Sequence, residues 1–228
     1  MILLNPADYD AIRLSLKVAF AAMAVSIPFG FATAYLMTFL HFRGKILLEM
    51  LVNLPLTLPP VVIGYFLLLL LGQKGWLGSL LMETAGIRLI FTWKAAVIAS
   101  AVVGFPLLVR SIRIGMESID RQIIQAARTL GGRWHDILFT VILPLSLRGI
   151  IAGSSLMFAR SLGEFGATII VAGNIPGVTQ TIPLAIYEYA GSPTGETTAL
   201  YLCLVSVLIS LIVLSLHETV GKKLTRQI

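Results

Sequence analysis

The sequence predicts an all-α membrane protein that crosses the bilayer five times, and three observations carry that prediction. Of its 228 residues 57% are hydrophobic and only 12% charged, with a mean hydropathy of +0.92, whereas a soluble domain is roughly a quarter charged and a little under half apolar. Windows without a single charge recur along the chain, and the basic residues gather between alternate windows.

A helix crossing a hydrocarbon core ~30 Å thick needs about 20 mostly apolar residues. Residues 18–42, 50–73 and 197–216 are charge-free runs of that kind. A fourth run, 95–109, is shorter and takes in Arg110 and its neighbours at one end. A fifth opens near Gly149, is interrupted by Arg160 and Glu164, and continues to about Ala172. The spans are placed at about 14–41, 48–72, 94–114, 147–172 and 197–219, within one transmembrane domain covering 1–228. The first run reads as a retained helix, since it is too long for a secretory signal and follows Asp8 and Asp10, not a basic region.

Cytoplasmic segments carry the excess of Lys and Arg near span ends. With the N-terminus outside, Arg43, Lys45, Arg110, Arg113, Arg121, Arg128, Arg133, Arg148, Lys222, Lys223 and Arg226 all fall inside, eleven against the five outside, Arg13, Lys17, Lys74, Arg88 and Lys94. The C-terminus is then cytoplasmic. The net charge of +6 is spread over three inside segments and follows from topology, so nucleic acid is not an expected partner.

Several chemistries are excluded. Cys203 is the one cysteine, inside the last span, and His41, His135 and His217 are scattered, so no metal site is expected. No Ser, His and Asp can be grouped near one another, so no catalytic residue is assigned. Neither Gly44-Lys45 nor Gly221-Lys222 sits in a G-x-x-x-x-G-K-[ST] string, so this chain does not bind ATP by a P-loop.

Residues 125–144, "QAARTLGGRWHDILFTVILP", interrupt the apolar sequence on the cytoplasmic side, within a loop at about 117–145. Apolar positions Ile119, Ile123, Ala126 or Ala127, Leu130, Trp134 and Leu138 recur at steps of three and four, one helix face. Gly131 and Gly132 mark a bend or cap between two short helices, and Pro144 ends the local structure before the next span. Small Ala126 and Ala127 suit a helix lying in a partner's groove; the same periodicity fits a helix resting on lipid headgroups with its basic residues toward anionic lipid.

The same string resembles the loop of ABC importer permeases, whose pattern is Glu-Ala-Ala, three residues, Gly, nine residues, Ile, any residue, Leu-Pro. Ala126, Ala127, Gly131, Leu143 and Pro144 fit, Val141 stands for the Ile, and Gln125 keeps the size of the Glu without its charge. The resemblance implies the type I ABC importer permease fold and a coupling helix docked in a cytoplasmic ATPase, with Gln125, Ala126, Ala127, Leu130, Gly131, Trp134 and Pro144 as its coupling residues. "FARSLGEFGATIIVAGNIPG", residues 158–177, resembles the molybdate and sulfate importer permeases, and "LPPVVIGY" within residues 53–78 resembles the molybdate ones more than the sulfate ones.

Within the spans, Pro55, Pro59 and Pro60 remove backbone donors from an apolar run, which is tolerated at membrane depth where the backbone is buried in protein or lines a cavity. Pro28 and Pro106 read as plain kinks. Arg160 and Glu164, four apart, share a helix face deep in the fourth span, so they pair or face water. Pro59, Pro60, Arg160, Glu164 and Ser161 are the candidate pathway residues, Arg160 either lending positive potential to the route of a dianion or fixing helix packing. Gly149 with Gly153 form a small-xxx-small pair for close helix contact. In the outer loop 173–196, Thr181 is placed to cap a short helix with Pro183 in its first turn.

Taken with the resemblance, the chain is expected to be a multi-pass inner-membrane permease subunit of a molybdate importer, tungstate being a further cargo, and not an enzyme. The implied partners are a second copy, two ABC ATPase subunits that bind ATP and Mg, a periplasmic molybdate-binding protein on the outer loops, and membrane lipid. A sulfate or thiosulfate permease is the alternative within the class; a passive anion channel or a membrane-embedded enzyme is the alternative outside it.

Overall fold

The computed structural model describes residues 5–225. They form eleven α-helices and one π-helical turn, with no strand among the described residues: α1 (Pro6–Phe39), α2 (Lys45–Thr57), α3 (Pro60–Leu71), α4 (Trp76–Ala85), α5 (Trp93–Glu117), α6 (Arg121–Thr129), α7 (Trp134–Ile137), the π turn (Leu138–Ile142), α8 (Leu143–Leu162), α9 (Gly166–Ala172), α10 (Ile182–Ala190) and α11 (Glu196–Thr225). Arg226, assigned to the inner end of the last span, lies outside the described residues, as do the side chains of His217, Lys222 and Lys223.

Four helices are long and apolar enough to cross a membrane: Pro6–Phe39, Trp93–Glu117, Trp134–Leu162 and Glu196–Ser215. The candidate for a fifth crossing is the bent pair α2 and α3, apolar and long enough only when taken together, which turn by 115° between Thr57 and Pro60. The break follows from the Leu-Pro-Pro sequence. A residue before proline avoids the helical region, and Leu58 (φ −84°, ψ 143°) and Pro59 (φ −56°, ψ 135°) are both extended, after which Pro60 opens α3 where its missing N–H costs nothing.

Two expectations for the fourth crossing need correction. Pro144 does not end the local structure: it sits in the first turn of α8, and helix runs on from Trp134 to Leu162. The π turn makes that possible, because the Leu143 N–H reaches back to the Leu138 carbonyl and the register absorbs the donor that Pro144 lacks. At the other end the helix stops at Leu162 instead of continuing to 172, and the remainder becomes the separate helix α9.

Helix α5 is the centre of the bundle, packed against α1 and α8, while α3 lies on α9 and α10 on α11. Without a hydrophobic drive between helices in lipid, small residues decide how near two backbones come. A Cβ on Gly149 would stand 2.7 Å from the Ser111 carbonyl oxygen, one on Gly153 2.9 Å from that of Leu108, and one on Gly30 2.8 Å from Leu108 Cδ2. The predicted Gly149 and Gly153 pair is thus the α5 contact. Substituting Gly149→Leu is expected to cost about 3 kcal/mol, the upper end of ordinary overpacking because backbone and not side chain is struck. Thermal unfolding in detergent checks this, with Gly163→Ala, which meets nothing nearer than 4.0 Å, expected to be close to neutral.

The segment that carries α10 is fastened to the first helix by groups that sequence spacing does not link. The Ile182 N–H donates to Ser15 Oγ at 2.7 Å and the Tyr189 hydroxyl donates to Asp8 Oδ1 at 2.9 Å. Burial, and then this bond to Asp8, hold the Tyr189 hydroxyl above the usual tyrosine range. Thr181 is the N-cap of α10 and Pro183 lies in its first turn, although the Thr181 hydroxyl makes no capping bond.

Candidate functional site: an amphipathic segment and two broken helices

Helix α6 starts at Asp120, whose carboxylate accepts from the Gln122 N–H at 2.8 Å, an ordinary N-cap. It ends as the glycine pair requires: Gly131 is left-handed (φ 85°), its N–H donates to the Arg128 carbonyl at 3.0 Å, and the Gly132 N–H donates to that of Ala127 at 3.1 Å. This double bond pattern is a Schellman cap, and it turns the chain so that α7 begins at Trp134.

The single apolar face read from the sequence divides in two. Ile119, Ile124 and Ile137 are buried against the end of α1 and α5, with Ala127 and Leu138 packed on them. On the other side Ile123 and Ala126 are exposed, Leu130 is 88% exposed and Trp134 68%. The inward set holds the helix to the bundle, and the outward set is an uncovered apolar ridge at a polar end of the molecule. A Trp so displayed is a residue type that anchors a partner, and Leu130 extends the exposed apolar surface beside it. Gln125 lies between the two faces, beside a cavity shared with the end of α1.

The proposed pathway residues are brought together by two helix breaks that meet. Gly166, at the start of α9, lies against Pro60 and Val61 at the start of α3, and a Cβ on Gly64 would stand 2.8 Å from the Ala167 carbonyl oxygen. Glu164 is 2% exposed. Its Oε2 pairs with Arg160 Nη1 at 2.8 Å and its Oε1 accepts from the Ala167 N–H at 2.8 Å, covering a free donor at the start of α9. Ser161 is buried beside them with a hydroxyl that has no partner. Pro59 is exposed at the bend. The buried carboxylate therefore does two jobs at once, neutralising Arg160 and terminating the break.

Sequence reasoning missed a second polar feature. Arg113 Nη1 pairs with Glu49 at 2.8 Å and its Nε with Glu117 at 2.7 Å, tying α2 to α5. Above this knot a cavity of about 310 Å³ is lined by Met37, Val52, Asn53, Pro106, Val109, Arg110 and Arg113. Asn53, a lone amide in an apolar run, was a readable signal; the pairing of residues 49 and 113 was not.

Residues 10–226 match the family described as binding-protein-dependent transport system inner membrane component. The chain belongs to this family.

Its curated relatives include the Escherichia coli (strain K12) molybdenum transport system permease protein ModB, 49% identical over 97% of this chain and 96% of that protein, and the Haemophilus influenzae protein of the same name, 48% identical over 97% and 96%. A Synechococcus elongatus sulfate transport system permease protein, CysW, is more distant, 36% identical over 92% of this chain and 73% of that protein. Among solved structures, a bacterial alginate ABC transporter matches with a TM-score of 0.77 at 14% identity, over 97% of this chain and 80% of that one. An amino acid ABC transporter matches with 0.67 at 19%, over 96% and 94%. At these identities the structures establish the shared fold. The inner-membrane component is accordingly a multi-pass helical protein of the ABC importer permease fold.

Proposed function

We propose that the chain is the membrane-spanning permease subunit of an ATP-driven importer for molybdate, with tungstate as a close cargo. The observation that carries this reading is the near half identity, across almost the whole of both chains, to permeases named for molybdenum transport, while the sulfate permease stands further off. In this reading the N-terminus is outside, and the eleven basic residues assigned to the inside flank the cytoplasmic ends. Two copies form the pathway, a periplasmic molybdate-binding protein delivers the anion to the outer loops, and two cytoplasmic ATPases bind beneath. The ATPases, not this chain, hold ATP and Mg and carry out hydrolysis.

The ridge of Ile123, Ala126, Leu130 and Trp134 is the docking face for the ATPase. Because Ile124 and Ile137 on the opposite side are packed into the bundle, displacement of the ridge is passed to α1, α5 and α8. The breaks at Pro59 to Pro60 and at Gly163 to Phe165 let parts of two spans move without unwinding whole helices. Arg160, paired with Glu164 but partly open, lends positive potential to the anion's route.

Vesicles carrying the complete transporter test the cargo. Uptake of labelled molybdate is expected to persist in a hundredfold excess of sulfate and to fall steeply with excess tungstate. Equal suppression by sulfate would assign the chain to sulfate transport instead.

A further inference from the structure

Beneath the end of α1 lies a cavity of about 150 Å³ lined by Thr38, Phe39, His41, Arg121, Ile124, Gln125 and Arg128. Its α6 residues, 121, 124, 125 and 128, follow the i, i+3, i+4, i+7 spacing of one helix face. Ala126, on the docking ridge, is about 200° around the helix from Arg128, so the cavity opens away from that ridge.

Three features make the cavity a receptor for an anion. Arg121 and Arg128 both reach it, and neither has a carboxylate within ion-pair distance among the described residues. The Thr38 hydroxyl oxygen is buried at its edge with no hydrogen-bond partner, and the His41 imidazole supplies a further polar group. Unpaired guanidinium groups present forks of donors that match phosphate oxygens, and a buried hydroxyl without a partner costs free energy that a ligand would recover. The position suits a headgroup too: the charge-free run that begins at residue 18 ends at 42, beside His41, where hydrocarbon gives way to the interface.

We infer that this cavity binds a phosphate-type oxyanion, delivered by an anionic phospholipid headgroup or free in the cytoplasm, and that the ligand pins α6 to the end of α1. The inference does not depend on the cargo or on the ATPase partner. It would make the position of the coupling helix responsive to the surrounding lipid or to a soluble oxyanion.

The full-length chain, purified in detergent, is the material for the test. Native mass spectrometry measures retention of phosphatidylglycerol against phosphatidylethanolamine, and calorimetry measures binding of inorganic phosphate to delipidated protein. Each basic residue near an anionic surface contributes about fivefold in affinity, so Arg121→Gln with Arg128→Gln is expected to weaken binding roughly 25-fold. Thr38→Val, which keeps the charge, is expected to weaken it about fivefold. The charge-matched pair Lys45→Gln with Arg133→Gln should bind as the parent does, and gel filtration confirms that each variant is folded.

Selective lipid retention lost in the cavity variants supports the site with lipid as the source; phosphate binding lost in them without lipid selectivity supports it with a soluble source. If the charge-matched control weakens binding as much as the cavity variants do, the attraction is diffuse and the site is overturned. It is equally overturned if neither ligand distinguishes parent from variants, or if the Arg121 and Arg128 changes abolish only capture of the ATPase, since an acidic side chain of that partner would then be the occupant.

Discussion

Placing arginine at Ala126 is expected to abolish capture of the partner ATPase and to reduce uptake by at least about 30-fold, the effect of losing 2 kcal/mol or more at an interface hot spot. Ala126 projects from the exposed side of α6, opposite the buried Ile124. Arginine is a good helix former, and its guanidinium is fully solvated in the free chain, so the bundle should fold as before. On the proposed docking the same group would have to be stripped of water where the parent presents only a methyl. Copurification with the ATPase, together with gel filtration of the chain alone, separates loss of docking from loss of folding. Ala126→Ser, similar in size, should retain most of the activity. Undiminished uptake by Ala126→Arg would remove the ridge as the mechanical joint.

The second large effect is expected at Glu164. Glu164→Leu leaves the Arg160 guanidinium and the Ala167 N–H without their common partner. Removing one member of a buried pair costs about 3–5 kcal/mol, and partial exposure of Arg160 lowers that to roughly 2–4 kcal/mol. The loss should appear in thermal unfolding in detergent. Replacing both members by Arg160→Met with Glu164→Leu should recover much of the stability, because no charge is then left uncompensated. Transport separates the two roles of the pair. If uptake at saturating substrate stays low in the restabilised double variant and in Arg160→Gln, the positive charge serves the anion; uptake at the parent level in Arg160→Gln would reduce the pair to a packing device.

How far the molecule was legible in its sequence can be followed through these same residues. A run of about 20 apolar residues in lipid satisfies its backbone as a helix, so most crossings could be read directly from composition and spacing, the fourth, at Trp134–Leu162 and not 147–172, excepted. Gly131 and Gly132 were equally legible, since a left-handed turn after a short helix has few alternatives. The face of α6 was not. Ile119, Ile123, Ala126 or Ala127, Leu130, Trp134 and Leu138 read as one apolar stripe, and only the packing beneath α1 and α5 puts Ile119, Ala127 and Leu138 on the inner side, with Ile124 and Ile137, and leaves the rest outside. Pro144 misled for a related reason. A proline lacks a donor whatever surrounds it, but whether the helix stops or shifts register is decided by the turn before it, here the π turn at Leu138–Ile142.

By itself the sequence determined that this protein lives in a membrane, that Pro55, Pro59 and Pro60 leave the second span short of backbone donors, and that the glycine pair makes a bend or cap after a short helix, because each rests on chemistry local to a few residues. Only the tertiary structure decided that the two breaks lie against each other, that Arg113 ties α2 to α5 through Glu49, and that Arg121 and Arg128 face a cavity under α1. Those contacts join residues 64 (Glu49 and Arg113) to 106 (Pro60 and Gly166) positions apart, and nothing in linear spacing fixes which helix faces will meet until close approach at Gly149 and Gly153 has set how the bundle packs.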